Sequence, residues 1–263
     1  MRIFFVADIF GTIGKRVVAE RLEKLVAERS IDVCVANAEN IAGGHGITSN
    51  LLAKLHKFGV SVVTGGNHSF DNQDCMDDYG KDPYFLRPHN YPPDNPGKGM
   101  TVFTLPDGRT LGVLNLQGLV FFNEHIDCPF RTGLAAVEEL SRTTKAILVD
   151  FHAEATSEKK ALFSYLDGKI SAFIGTHTHV QTADEIISPC GSAYLTDAGF
   201  TGPEDSAIGM KTEGVIRRFL RQTPVRFEPS EKSPMLNGVV IDIDDETGKA
   251  TSITRVYERI QFS

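Results

Sequence analysis

The chain has 263 residues, a formal net charge of -7, 41% hydrophobic and 23% charged residues. That is length for one large domain or two small ones, and an acidic balance that argues against a general polyanion-binding surface. No apolar run approaches the roughly 20 residues of a membrane span. The four scattered cysteines form no CxxC pair, so a reduced, cytoplasmic setting is expected.

The chain opens directly on Ile3-Phe4-Phe5-Val6, read as a first strand over about Ile3 to Ala7, not a signal peptide. Apolar positions Ile13, Val17, Val18, Leu22, Leu25 and Val26 predict a helix from Ile13 to Glu28. A strand over Asp32 to Ala36 ends at Asn37-Ala38-Glu39-Asn40. A glycine-rich loop follows, then a short helix near Ser49 to Phe58, with Thr48 or Ser49 as its N-cap. The third strand, Ser61 to Thr64, stops at Gly65-Gly66-Asn67-His68. This βαβαβ order predicts a mainly parallel sheet.

Residues 80–99 read as a long loop, rich in Pro, Gly, Asn and Asp. Thr101 to Leu105 and Leu111 to Leu116, joined across Asp107-Gly108, predict a hairpin. A helix near Leu134 to Arg142 leads to a strand over Ala146 to Phe151. A helix over Ser157 to Leu166 leads to a strand over Ser171 to Ile174. Short strands near Glu185 to Ile187 and Ala193 to Leu195 come next. A Gly/Pro-rich loop (Gly199 to Gly209), a helix near Glu213 to Leu220 and a closing hairpin (Asn237 to Ile243, Thr251 to Ile260) complete the pass. The expectation is one domain over residues 1–263. Its fold class would be α/β: two mixed sheets face to face with helices outside, a four-layer αββα sandwich.

Candidate chemistry lies just past strand ends, where open α/β sheets bind ligands. Asp8, Glu39, Asn40, Asn67, His68, His152, His177 and His179 all fall there. Each has a plain alternative: a lone Asp is usually a cap or turn residue, and a lone His is more often a surface or core residue. Their joint occurrence favours a metal site. Carboxylate, amide and imidazole together suit Fe, Mn or Zn better than Mg or Ca. Glu39 suits a bridging role, since a carboxylate offers one oxygen to each of two ions. His45, in the glycine-rich loop, reads as a surface residue near the site. His56, His89 and His125 read as structural or exposed, and Asp71, Asp74, Asp77 and Asp78 as a solvated acidic patch. Asp197 reads equally as a turn residue or as a partner of a ligating histidine.

The order Asp, Glu-Asn, Gly-Asn-His, His, Gly-x-His-x-His resembles the calcineurin-like metallophosphoesterase superfamily. Three departures mark a subgroup: Phe10 replaces the usual histidine of the first motif, Glu39-Asn40 replaces the usual bridging aspartate, and Ser69 follows Gly-Asn-His. The segments 36–40, 64–68, 175–184 and 196–199 resemble the bacterial YmdB-type phosphodiesterases, and the likeness covers nearly the whole chain. It implies a metallo-dependent phosphatase-like fold. It implies one metal ion held by Asp8, Glu39, Asn40 and His179, and a second held by Glu39, Asn67, His152 and His177. It further implies His68 as proton donor, iron as the metal, with Mn or Zn as alternatives, and 2′,3′-cyclic nucleotides such as 2′,3′-cAMP as substrate.

The expected reaction is attack of a metal-bridging hydroxide on phosphorus, with His68 protonating the leaving ribose oxygen. The expected partner is a small phosphodiester, with no membrane and no broad nucleic-acid binding; homo-oligomerisation is left open. Two alternatives stand beside this reading. One is a phosphomonoesterase or protein phosphatase with the same metals. The other is a nucleotide- or RNA-binding regulator with slow turnover.

Overall fold

The structure, a computed structural model, describes residues 1–262. Its elements in chain order are β1 (Arg2–Val6), β2 (Asp8–Ile9), α1 (Gly11–Arg29), β3 (Val33–Asn37), α2 (Ser49–Lys57), β4 (Val62–Thr64) and α3 (Asp78–Lys81). Then come β5 (Met100–Thr104), β6 (Thr110–Gln117), α4 (Pro129–Leu140), β7 (Ile147–His152), α5 (Thr156–Leu166), β8 (Ala172–Thr176), β9 (Ile186–Ile187) and β10 (Ala193–Leu195). The chain closes with β11 (Phe200–Pro203), α6 (Thr212–Arg221), β12 (Pro234–Ile243) and β13 (Ala250–Arg259).

Two mixed sheets result. The first has the order β2-β11-β12-β1-β3-β4, with β13 paired on β12; the second runs β5-β6-β7-β8-β10-β9. Alternation along β1 explains the layering. Ile3 and Phe5 join Val35, Val113, Leu148 and Ile174 between the sheets. Phe4 and Val6 face the other way, onto Val18, Leu22 and Leu25 of α1 and Leu55 of α2. On the far side, Val149, Phe151 and Phe173 pack against Val137 and Leu140 of α4 and Leu162 and Leu166 of α5. The four-layer αββα sandwich expected from the sequence is therefore what the chain forms.

Strands β1, β3 and β4 run parallel, as do β6, β7, β8 and β10. Their carboxyl ends share one edge, which gathers the chemistry. Helix α1 presses against that edge through Gly14, where a Cβ would collide with the Thr201 carbonyl of β11.

Some boundaries differ from the sequence reading. Helix α4 begins earlier than expected, with Pro129 in its first turn, a position where the missing N–H costs nothing. Strand β11 lies inside the segment read as a Gly/Pro-rich loop. It pairs parallel with β2 and antiparallel with β12, and Pro203 falls opposite Pro234. Residues 204–233 thus form an excursion from this hairpin. Its base is closed by the Glu204 N–H donating to the Ser233 carbonyl at 2.8 Å, and it carries α6, none of whose residues is buried. No helix among the described residues is long and apolar enough to cross a membrane.

His56 turns out to staple α2 to the following turns. One ring nitrogen meets the Val60 carbonyl and the other the Asp82 carboxylate, each at 2.8 Å. The bond to Asp82 raises the imidazole above its ordinary value despite partial burial. Burial pushes Asp82 up, but the bond from His56 wins and its carboxyl is lowered. The His56 contribution is full below about pH 6.5 and fades as pH rises through its elevated folded-state value. The Asp82 contribution is full above about pH 4 and fades as pH falls through its depressed value. A His56→Gln variant should therefore lose most stability near pH 5.5, with the deficit shrinking by pH 9. Thermal melts of both proteins across that range check this, and a pH-independent deficit contradicts it.

Candidate metal centre

Seven of the eight candidate side chains meet at the shared strand edge. Asp8 is fully buried in β2, Glu39 and Asn40 follow β3, Asn67 follows β4, His152 ends β7, and His177 and His179 follow β8. The eighth, His68, adjoins them: its backbone N–H donates to Glu39 Oε2 at 2.9 Å, and the residue lines the same cavity as His177 and His179.

The contacts sort into two groups that share Glu39. In one, His179 Nε2 lies 3.5 Å from Asp8 Oδ2 and 3.3 Å from Asn40 Nδ2, and that amide donates to Glu39 Oε1 at 3.1 Å. In the other, His152 Nε2 lies 3.0 Å from Glu39 Oε1, 3.1 Å from Asn67 Oδ1 and 3.0 Å from His177 Nδ1. Ligand atoms of Glu39, His152 and His177 all fall within 4.8 Å of one another.

Each histidine has one nitrogen tied outward, which fixes its tautomer. His152 Nδ1 donates to Thr176 Oγ1 at 3.0 Å, and that hydroxyl donates onward to Asp150 Oδ1 at 2.7 Å. His179 Nδ1 donates to the Ile208 carbonyl at 3.0 Å. His177 Nε2 faces Glu154 Oε2 at 3.3 Å. The remaining nitrogens all look inward. Asp8 Oδ1 is buried with no hydrogen-bond partner, and an unsatisfied buried carboxylate oxygen is costly unless something positive binds it. These residues fit a pair of cations.

The electrostatics agree with that fit. Burial drives Asp8 well above the ordinary carboxylate value. It would drive Glu39 up too, but the neighbouring His152 pulls it down to about 2. Burial would lower His152, yet Glu39 and then Asp8 raise it to about 9. Burial and His152 push His177 down to about 3, and burial lowers His179, so both are neutral. A proton on His152 thus stands where a cation would, and a metal ion taking that place would have to displace it.

The backbone here is shaped for the site. His177 (φ 101°) and His179 (φ 62°) occupy the left-handed region, which costs on the order of 1–3 kcal/mol for each non-glycine residue. That strain is held by a buried ion pair. Lys159 Nζ donates to Asp197 Oδ2 at 2.7 Å and to the Thr176 carbonyl at 2.9 Å, and Asp197 Oδ2 accepts the Thr178 N–H at 3.1 Å. Asp197 therefore grips the loop backbone and not a histidine ring. Gly66 has no room for a Cβ, which would collide with the His152 ring and the Glu39 carboxylate. Ser69 closes that turn, its hydroxyl accepting the Gly66 N–H at 3.0 Å.

Sequence reasoning missed several contributors. Asp71, read as solvated surface, lies with Oδ2 2.6 Å from His68 Nδ1, three residues along the chain. This leaves His68 Nε2 as the ring's free nitrogen. Exposed His45 packs edge-on against the His68 ring, with centroids 4.8 Å apart. Asp150 is fully buried and held by Asn37, Thr64 and Thr176; burial raises it to about 6. A charged residue amid the apolar run Ile147–Phe151 was its signal. Lys159 had one as well, since it shares the apolar stripe of α5 with Leu162, Phe163 and Leu166.

Known proteins resemble this chain in sequence and in fold. A family model described as YmdB-like protein matches residues 4–256. The chain is 44% identical over 256 residues to a 2′,3′-cyclic-nucleotide 2′-phosphodiesterase of Bacillus subtilis, covering 97% of this chain and 96% of that one. It is 34% identical over 270 residues to a putative phosphatase/phosphodiesterase of Mycoplasma pneumoniae, covering 98% and 94%. A solved structure described as a novel phosphatase of M. pneumoniae superposes with a TM-score of 0.92 at 32% identity, covering 98% of this chain and 93% of that one. A hypothetical protein of Thermus thermophilus gives 0.89 at 35% identity, covering 98% and 99%. With ligand-type residues converging from two sheets and a match along nearly its whole length, the chain belongs to the YmdB-like family.

Proposed function

We propose that the chain, acting as one unit over residues 1–263, is a metal-dependent phosphodiesterase that hydrolyses 2′,3′-cyclic nucleotides. The carrying observation is the inward convergence of three tautomer-fixed imidazoles with the carboxylates of Asp8 and Glu39, beside a buried Asp8 Oδ1 that has no hydrogen-bond partner. Asp8, Glu39, Asn40 and His179 would hold one ion, and Glu39, Asn67, His152 and His177 the other. The mixed nitrogen and oxygen donor set favours iron, with manganese or zinc as substitutes. When bound, such ions supply Lewis acidity for the phosphoryl oxygens and a water of lowered pKa.

The chain's own residues do the rest. Thr176, the Ile208 carbonyl and Glu154 keep the three imidazoles aimed into the cluster, so little reorganisation accompanies reaction. Asp71 orients His68 through Nδ1 and leaves Nε2 to deliver a proton to the departing ribose oxygen. The relative's name places cleavage at the 2′ position, and the same bond is proposed here. Phe10, packed edge-on against His179 and Phe200, walls one side from water.

Metal analysis of protein purified without chelator, paired with turnover of 2′,3′-cAMP and of a phosphopeptide, tests the proposal. About two transition-metal ions per chain and selective turnover of the cyclic nucleotide are expected. A metal-free active enzyme, or preference for the phosphopeptide, would refute it. His68→Ala should keep its metal and lose about a hundredfold to ten-thousandfold in rate on a ribose leaving group. It should lose far less on a p-nitrophenyl ester, whose leaving group needs no proton. Loss of metal in that variant would make His68 a ligand instead.

A further inference from the structure

Helix α6 has an apolar stripe of Val215, Ile216, Phe219 and Leu220, yet none of these residues is buried and Phe219 is 72% exposed. A stripe of this kind normally packs against something. Here part of it looks into the metal centre's own cavity. That space of about 740 Å³ is lined by His68, His177 and His179 on one side and by Ile208, Phe219 and Phe227 on the other. Its volume falls in the range of small-molecule sites. Arg218 is the one Arg or Lys that lines it, and Gln222 lies one turn further on. The cavity thus has a phosphate-type end built of metal-ligand residues and an aromatic end with a few hydrogen-bonding groups.

We infer that the excursion 204–233 is the nucleobase-recognition wall of this enzyme, with Phe219 and Phe227 offering ring faces to the base and Arg218 and Gln222 bonding its edges. This rests on the cyclic-nucleotide reading above and adds the residues that choose among substrates. Continuity with the ligand-bearing strand ends argues for a base as occupant. Phe219 and Phe227 share one cavity with the histidines, whereas Ile216 and Leu220 lie outside its lining. Purine and pyrimidine faces stack on such rings with little sequence demand.

The test compares metal-loaded wild type, Phe219→Ala, Phe219→Trp and Leu220→Ala. Each is assayed on 2′,3′-cAMP and on a base-free ester, methyl ribofuranoside 2′,3′-cyclic phosphate. Wild type should prefer the nucleotide in kcat/KM. Phe219→Ala should erase about ten- to a hundredfold of that preference, mainly through the KM for 2′,3′-cAMP. Phe219→Trp should retain it, and Leu220→Ala should match wild type. Equal losses on both esters, an unchanged preference in Phe219→Ala, or a changed oligomeric state with no change in preference would overturn the inference while leaving the phosphodiesterase reading intact. A wild type that cleaves phosphomonoesters but neither cyclic ester would overturn both.

Discussion

Glu39→Gln is expected to strip the protein of both metals and to lower kcat at least about a thousandfold, roughly 4 kcal/mol of barrier. Glu39 is the one residue common to both contact groups, meeting both the Asn40 amide and His152 through Oε1, while Oε2 accepts the His68 N–H. An amide keeps the shape but loses the charge that offsets His152. With the ions absent, the substitution also breaks a buried ion pair, a change that typically costs about 3–5 kcal/mol, moderated here as His152 sheds its proton. Metal content, 2′,3′-cAMP turnover and urea melts of the metal-free protein measure the three consequences separately. A Glu39→Gln enzyme with two metals and full activity would contradict the assignment.

The second large effect lies behind the proposed ligands, in residues that touch none of their side chains. Lys159→Met should destabilise the fold by about 3–5 kcal/mol, because it leaves Asp197 charged and unpaired in a fully buried position. For a chain of this length that corresponds to a melting temperature lower by roughly 6–20 °C. The strained His177-Thr178-His179 backbone hangs on the same pair, so metal affinity should fall too. The double variant Lys159→Met/Asp197→Asn should recover part of the stability, since a neutral amide is cheaper to bury than a lone carboxylate. A single variant that melts with wild type would show the pair to be dispensable.

What the sequence revealed follows from where its signals are local. Asp8, Glu39, Asn67 and His177 each come at or soon after a β-branched or aromatic run, and such runs are legible residue by residue. The sandwich followed from strand alternation and from helices such as α1. The supporting residues were harder to see, because their roles depend on partners far away. Asp150 is bonded by Asn37 and Thr64, 113 and 86 positions distant, and Lys159 finds Asp197 38 positions away. Strand β11 escaped notice because Gly202 and Pro203 interrupt its period, and only pairing with β2 and β12 makes it a strand. Asp71 looked like one of four acidic surface groups until the turn at Gly66–Ser69 brought His68 within 2.6 Å of it.

The way β11 hands over to β12 has a consequence for how such enzymes diversify. Because Pro203 and Pro234 face each other, the thirty intervening residues begin and end at the same point. A tip shortened or exchanged beyond Ile208, whose carbonyl holds His179, would leave both sheets and every candidate ligand in place. Chemistry and selectivity would then be inherited separately: a fixed hydrolytic engine beneath, and an interchangeable cap above that evolution or a protein engineer can swap.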